Sequence, residues 1–140
     1  MITCTRRIEF DAGHRILQHE SKCKYLHGHR YVVEATFTAP GLDALGRVID
    51  FGMVREKLGG WVDTHWDHTT ILSDADRTLG KTLTAETGQV VFYLPANPTA
   101  ENMADYLLRE VCGTLFKDSG VTCVRLRLYE TPNCYAEVTA

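Results

Sequence analysis

Residues 27–37 alternate with a period of two. His27, His29, Tyr31, Val33, Ala35 and Phe37 share one parity, with Arg30, Glu34 and Thr36 on the other. Successive side chains of a strand point to opposite faces. The stretch therefore predicts a half-buried β-strand whose inward face begins with two imidazoles. Residues 7–14 repeat the pattern: Ile8, Phe10, Ala12 and His14 alternate with Arg7, Glu9, Asp11 and Gly13. That strand ends its inward face on a third histidine, and a polar loop over 15–26 joins the two.

Pro40-Gly41 ends the second strand. A helix fits 51–62, with Phe51, Val54, Leu58, Trp61 and Val62 at helical spacing. Gly59-Gly60 weakens its last turn, each Gly costing about 1 kcal/mol relative to Ala. The span from Leu72 to Pro98 is long for a connection and holds a candidate short strand at 90–94. A second helix follows Thr99 as N-cap, with Met103, Leu107, Val111 and Leu115 at i+4 steps. Residues 121–130 and 134–138 read as a strand pair joined by Thr131-Pro132-Asn133. The order β-β-α-α-β-β predicts an α+β fold, a four-stranded antiparallel sheet with two helices on one face.

Composition narrows the function classes. With 140 residues the chain is expected to form one domain, 1–140. A net charge of -3 supplies no positive field for a polyanion, so nucleic acid is not an expected partner. No apolar run approaches the roughly 20 residues a bilayer crossing needs, and the opening MITCTRRIEF has no signal-peptide core. The five cysteines are odd in number and lack paired spacing, which argues against a disulfide framework and for a reducing, cytoplasmic setting.

Chemistry concentrates in a few positions. His27 and His29 share a face, Gly28 points away, and a hairpin pairing would bring His14 beside them. Three neutral imidazoles hold a zinc ion and leave a fourth position for water or substrate. Separate core or surface histidines are the alternative, but imidazoles facing a core need partners. His19 and His65 lack such geometry and are expected in solvent. Cys23 lies four residues before His27, between Lys22 and Lys24. Two cations and a nearby metal would favour its thiolate, a base or nucleophile, although an ordinary loop cysteine fits equally well. Asp67-His68 offers a carboxylate to orient an imidazole. Neighbours on a regular helix do not face each other, so the pair needs a turn, and a capping Asp with a surface His is the alternative. Glu130 continues the row Val124, Leu126, Leu128 and places a carboxylate inward unless the strand end has reached solvent. Glu101, in the first turn after Thr99, is explained by the helix dipole alone.

Taken together, Phe10-Asp11-Ala12-Gly13-His14, Cys23-Lys24-Tyr25-Leu26-His27-Gly28-His29, Asp67-His68, Pro98-Thr99-Ala100-Glu101-Asn102 and Tyr129-Glu130-Thr131 resemble the 6-pyruvoyltetrahydropterin synthase / 6-carboxytetrahydropterin synthase family. The resemblance runs from residue 8 to about 136. It implies a tunnelling (T-fold) subunit whose sheets join into an oligomeric barrel, as trimers stacked into hexamers with active sites between subunits. It implies one zinc ion per subunit on His14, His27 and His29, with Cys23 as catalytic base. Asp67 and His68 would be relay partners from a neighbouring subunit. Glu130 would anchor the pterin and contribute to catalysis, with Thr99 and Glu101 near the pterin pocket. The implied substrate is 7,8-dihydroneopterin triphosphate, with Arg15, Lys22, Lys24 and Arg30 as candidates to meet its phosphates. The short Cys23-to-His27 gap is similar to the carboxy type, which releases acetaldehyde and triphosphate on the queuosine route. The pyruvoyl type eliminates triphosphate and keeps the three-carbon side chain. Trp66 and Leu72 depart from the family's usual Leu and Asn around the Asp-His pair.

Other chemistries fit the same residues. A zinc hydrolase would use the three histidines without an essential thiol. A structural zinc site would recruit Cys23 as fourth ligand, and a Cys-His-Asp hydrolase would leave the inward histidines without a role.

Overall fold

The computed structural model describes residues 1–140. β1 (Cys4–His14) and β2 (His27–Thr38) form the central antiparallel pair, in unbroken register from Cys4 opposite Phe37 to His14 opposite His27. β2 pairs on its other side with β5 (Thr122–Thr131), and β5 with β6 (Cys134–Thr139), both antiparallel. The expected four-stranded antiparallel sheet is corrected by two further strands. β3 (Thr69–Ser73) runs parallel to β1 along its free edge, and β4 (Val91–Leu94) runs parallel to β3. The result is a mixed six-stranded sheet of order β4-β3-β1-β2-β5-β6.

β3 escaped the periodicity for a physical reason. Four of its five residues, Thr70 to Ser73, are buried, so both faces are covered and no alternation is left. Parallel strands commonly read this way.

Three helical runs accompany the sheet, one more than expected. The first, α1, joins Phe51–Val54, a π-turn over Arg55–Gly59 and Gly60–His65. The second, α2, is Arg77–Thr87. The third, α3, joins Ala100–Tyr106, a π-turn over Leu107–Cys112 and Gly113–Leu115. α3 starts where its cap predicts: Thr99 is extended and its hydroxyl accepts from the Asn102 N–H at 3.1 Å, an interaction worth about 1 kcal/mol. α2 is the helix that periodicity missed, because Gly80 is its only fully buried residue and Leu79 and Leu83 alone mark its apolar side. Glycine at 80 lets the helix lie against Tyr93, whose hydroxyl occupies the space a Cβ would need. Gly88 then ends the helix in the left-handed conformation, φ +73°.

The core lies between one sheet face and the helices α1 and α3. Ile8, Phe10, Tyr31, Val33 and Leu126 from the sheet meet Val54, Leu58 and Val62 of α1 and Met103, Leu107 and Val111 of α3. Each such side chain contributes roughly 1.5–3 kcal/mol on burial. The opposite face carries a lattice of ion pairs, including Arg30 with Asp11 and Arg7 with Glu34. Exposed pairs of this kind add little stability. All five cysteines are free thiols, Cys112 and Cys123 being buried. No helix is long and apolar enough to cross a membrane.

Candidate active site

The β1–β2 register assembles the histidines. His14 is directly opposite His27, and His29 is opposite Ala12, two residues along the same face. The ring centroids stand 4.7, 4.9 and 5.1 Å apart, and one nitrogen from each ring lies within 4.8 Å of the others. His14 is 1% exposed.

The hydrogen bonds decide which nitrogens are free. His14 Nδ1 lies 2.7 Å from the Pro98 carbonyl, and His27 Nδ1 lies 2.7 Å from the Tyr25 carbonyl. A carbonyl can only accept, so both Nδ1 atoms carry the hydrogen and both Nε2 atoms present lone pairs. Those two Nε2 atoms face each other at 3.1 Å, and His29 Nε2 is buried without any partner. The two facing lone pairs of His14 and His27 repel unless a cation sits between them. A tetrahedral zinc with bonds of about 2.0–2.1 Å separates its ligand nitrogens by roughly 3.3 Å, close to the 3.1 Å between His14 and His27. Backbone carbonyls orienting the far nitrogens are the usual support of metal-bound imidazoles. The residues present therefore fit a divalent ion of the zinc type.

Burial pushes the His14 imidazole down to about 4; the Pro98 carbonyl opposes this, and His27 and His29 reinforce it. Above pH 6.5 the ring is neutral in both folded and unfolded chains. Between 6.5 and 4 the unfolded chain takes up a proton that native His14 refuses, so stability falls with pH through that window. The metal-free protein is expected to lose roughly 3 kcal/mol from this group between pH 7 and pH 4. Urea unfolding in chelator at both pH values, compared with His14→Asn, measures it; equal pH dependence in the two proteins would refute the assignment.

A cavity of about 610 Å³ opens beside the histidines. Cys23, held in a single helical turn over Lys22–Lys24, lines it together with His14, Thr99, Glu101 and Glu130. Glu130 continues the inward row of Leu126 and Leu128, at a bulge where β5 carries one extra residue: Tyr129 pairs with Tyr135, yet Thr131 pairs with Cys134. Its carboxylate stands 3.9 Å from both His14 Nε2 and His29 Nε2. Burial raises the Glu130 pKa, the Glu101 charge adds to this, and His27 opposes it.

Asp67 and His68 lie outside this cavity, just before β3. α1 ends at His65, and His68 adopts φ +58°, a left-handed conformation that costs a non-glycine residue roughly 1–2 kcal/mol. That turn lets adjacent residues meet, with His68 Nδ1 3.0 Å from the Asp67 carboxylate. The other Asp67 oxygen accepts from the Asp11 N–H at 3.0 Å. Burial alone would raise the Asp67 pKa, but the Asp11 N–H, His68 and Arg30 together lower it. Next door, Trp66 is fully buried against Phe10 and Phe92. His68 faces a cleft of about 430 Å³ with Asp11, Gly13, Gly28, His29, Arg30 and Gln89. That cleft and the Cys23 cavity share no lining residue, so within one chain the Asp67–His68 pair and Cys23 serve separate openings.

Three sequence expectations change. His19 lines the Cys23 cavity rather than standing in solvent, and its Nδ1 accepts from the Ser21 N–H at 2.9 Å. Its place in the same loop as Cys23 was the available signal. Arg15 is committed to Asp76, through Nε at 2.6 Å and a second short contact, so it is not free for a phosphate. Arg30 sits on the outer face, paired with Asp11 and Glu9. Tyr135 and Glu137 of β6 also line the cavity and went unnoticed in the sequence.

Comparison with known proteins agrees with this arrangement. The profile described as 6-pyruvoyl tetrahydropterin synthase matches residues 3–140. A Rickettsia bellii protein named 6-carboxy-5,6,7,8-tetrahydropterin synthase is 51% identical over 138 residues, covering 99% of this chain and 100% of that protein. A Halobacterium salinarum protein named probable 6-carboxy-5,6,7,8-tetrahydropterin synthase is 35% identical, covering 91% of this chain and 79% of its own length. Among solved structures, the uncharacterized protein WS1659 of Wolinella succinogenes superposes with a TM-score of 0.83 at 21% identity, covering 99% of this chain and 97% of that one. The Caenorhabditis elegans 6-pyruvoyl tetrahydropterin synthase gives 0.71 at 20% identity, covering 99% and 95%. A family match over almost the whole chain, with half of all positions shared with a full-length relative, means that this chain belongs to the 6-pyruvoyl tetrahydropterin synthase family.

Proposed function

We propose that the chain is a zinc-dependent 6-carboxy-5,6,7,8-tetrahydropterin synthase. In this reading it converts 7,8-dihydroneopterin triphosphate and one water to 6-carboxytetrahydropterin, acetaldehyde and triphosphate, a lyase step toward queuosine. The observation that carries it is a cluster of three imidazoles, one of which, His14, lines a single cavity with a thiol and a raised-pKa carboxyl. The Rickettsia bellii relative, named for the carboxy reaction, supports the choice of product.

His14, His27 and His29 would hold the ion, which supplies Lewis acidity toward the side-chain oxygens of the substrate. Cys23 takes the proton from the substrate's side-chain carbon. Glu130 accepts from the ring N–H and amino group of the pterin, with Thr99 and Glu101 at the pocket wall. His68, oriented by Asp67, returns protons to the substrate.

Cys23 and His68 line separate cavities of one chain, and a second copy supplying its Asp67 and His68 would close the relay. We therefore propose a homo-oligomer, a hexamer of two stacked trimers, with active sites between subunits. The deciding experiment incubates zinc-loaded protein with 7,8-dihydroneopterin triphosphate and traps aldehyde for mass spectrometry. Acetaldehyde with a carboxypterin is the expected result. A three-carbon pyruvoyl product would replace the reaction while keeping the site, and no turnover would sink the proposal.

A further inference from the structure

We infer that Gln89 is a positioning residue for the His68 imidazole, and that α2 exists in this chain to deliver it. The inference rests on the reading that His68 moves a proton. His68 is one of two non-glycine residues with positive φ, a conformation that persists only where its surroundings hold it. Its backbone is clamped on both sides. The His68 N–H donates to the Asp11 carbonyl at 2.7 Å, and the His68 carbonyl accepts from Gln89 Nε2 at 3.0 Å.

Gln89 is itself held firmly. Its Oε1 accepts from the Thr70 hydroxyl at 2.6 Å, which together with the His68 carbonyl permits only one orientation of the amide. Its backbone carbonyl accepts from the Thr84 hydroxyl at 2.9 Å, and its N–H donates to the Thr87 hydroxyl at 3.1 Å. Both threonines belong to α2, and Gly88 makes the left-handed turn that brings Gln89 off the helix end. The chain thus runs from α2 through Gln89 to the His68 peptide. With the Asp67 carboxylate on Nδ1, that clamp leaves the imidazole few ways to turn.

The test uses Gln89→Glu, which keeps the acceptor for Thr70 but sets an oxygen against the His68 carbonyl, and Gln89→Leu, which removes both bonds. Turnover of 7,8-dihydroneopterin triphosphate is measured in the native and the His68→Ala backgrounds. The nitrogen-15 signals of the His68 imidazole are recorded alongside. The expected result is a fall in kcat of about tenfold with KM unchanged, the scale of one lost hydrogen bond. The His68 signals should broaden or shift, and the Gln89 effect should vanish once His68 is alanine. An equal loss in both backgrounds, or unchanged imidazole signals, overturns the role of Gln89. Full activity of His68→Ala alone overturns the reading of His68 itself, a result separate from the first because it needs no change at Gln89.

Discussion

Cys23→Ala is expected to lower kcat for 7,8-dihydroneopterin triphosphate by about 10²–10⁴-fold, the range spanned by loss of a positioned acid or base. Bound metal should stay at the native level, because all three imidazoles are untouched and Cys23 contributes no part of the core. Thermal unfolding should barely move, since the residue sits half-exposed in a short surface turn. Metal analysis and steady-state kinetics on the same preparation separate the outcomes. Full activity would favour a zinc hydrolase needing no thiol. Loss of metal along with activity would make Cys23 a ligand and the site structural.

His14→Ala should abolish both metal binding and turnover. Removing even a partner that orients a ligand costs about 10–100-fold in affinity, and here a primary donor goes. The substitution also empties a buried position, so a folding defect could mimic the result. His27→Ala removes the facing donor from a half-exposed site and should lose the metal while the protein stays folded. Inductively coupled plasma analysis and circular dichroism of both variants test this together. Stoichiometric metal in a folded His27→Ala protein would refute the three-histidine centre.

Much of this site was legible along the chain because strand periodicity is strict. His14, Ala12, Phe10 and Ile8 share a parity, as do His27, His29, Tyr31 and Val33, and the observed register places both rows on one core face. The N-cap at Thr99 was equally visible, since it depends on one hydroxyl and one N–H three residues on. Asp67-His68 was legible as a pair but not as a geometry. Its contact depends on a left-handed residue at 68, which no local pattern announces.

Other features were out of reach for specific reasons. β3 is short and almost wholly covered, so it carries no clean alternation; β4 was legible as the candidate strand at 90–94, but its parallel pairing with β3 was not; and α2 buries too little apolar surface to stand out. Arg15 is as basic in sequence as any phosphate ligand; only the folded chain puts Asp76 against it.

By itself, then, the sequence determined the elements whose side chains repeat at the period of a strand or helix, and with them the three-histidine cluster and the thiol four residues before it. Tertiary structure alone decided which cavity each chemical group lines. It also decided which cations are already paired and how α2 reaches His68. Such facts depend on contacts between residues far apart in the chain. Asp11 meets Asp67, and His14 meets Pro98, across loops whose closure no local preference encodes.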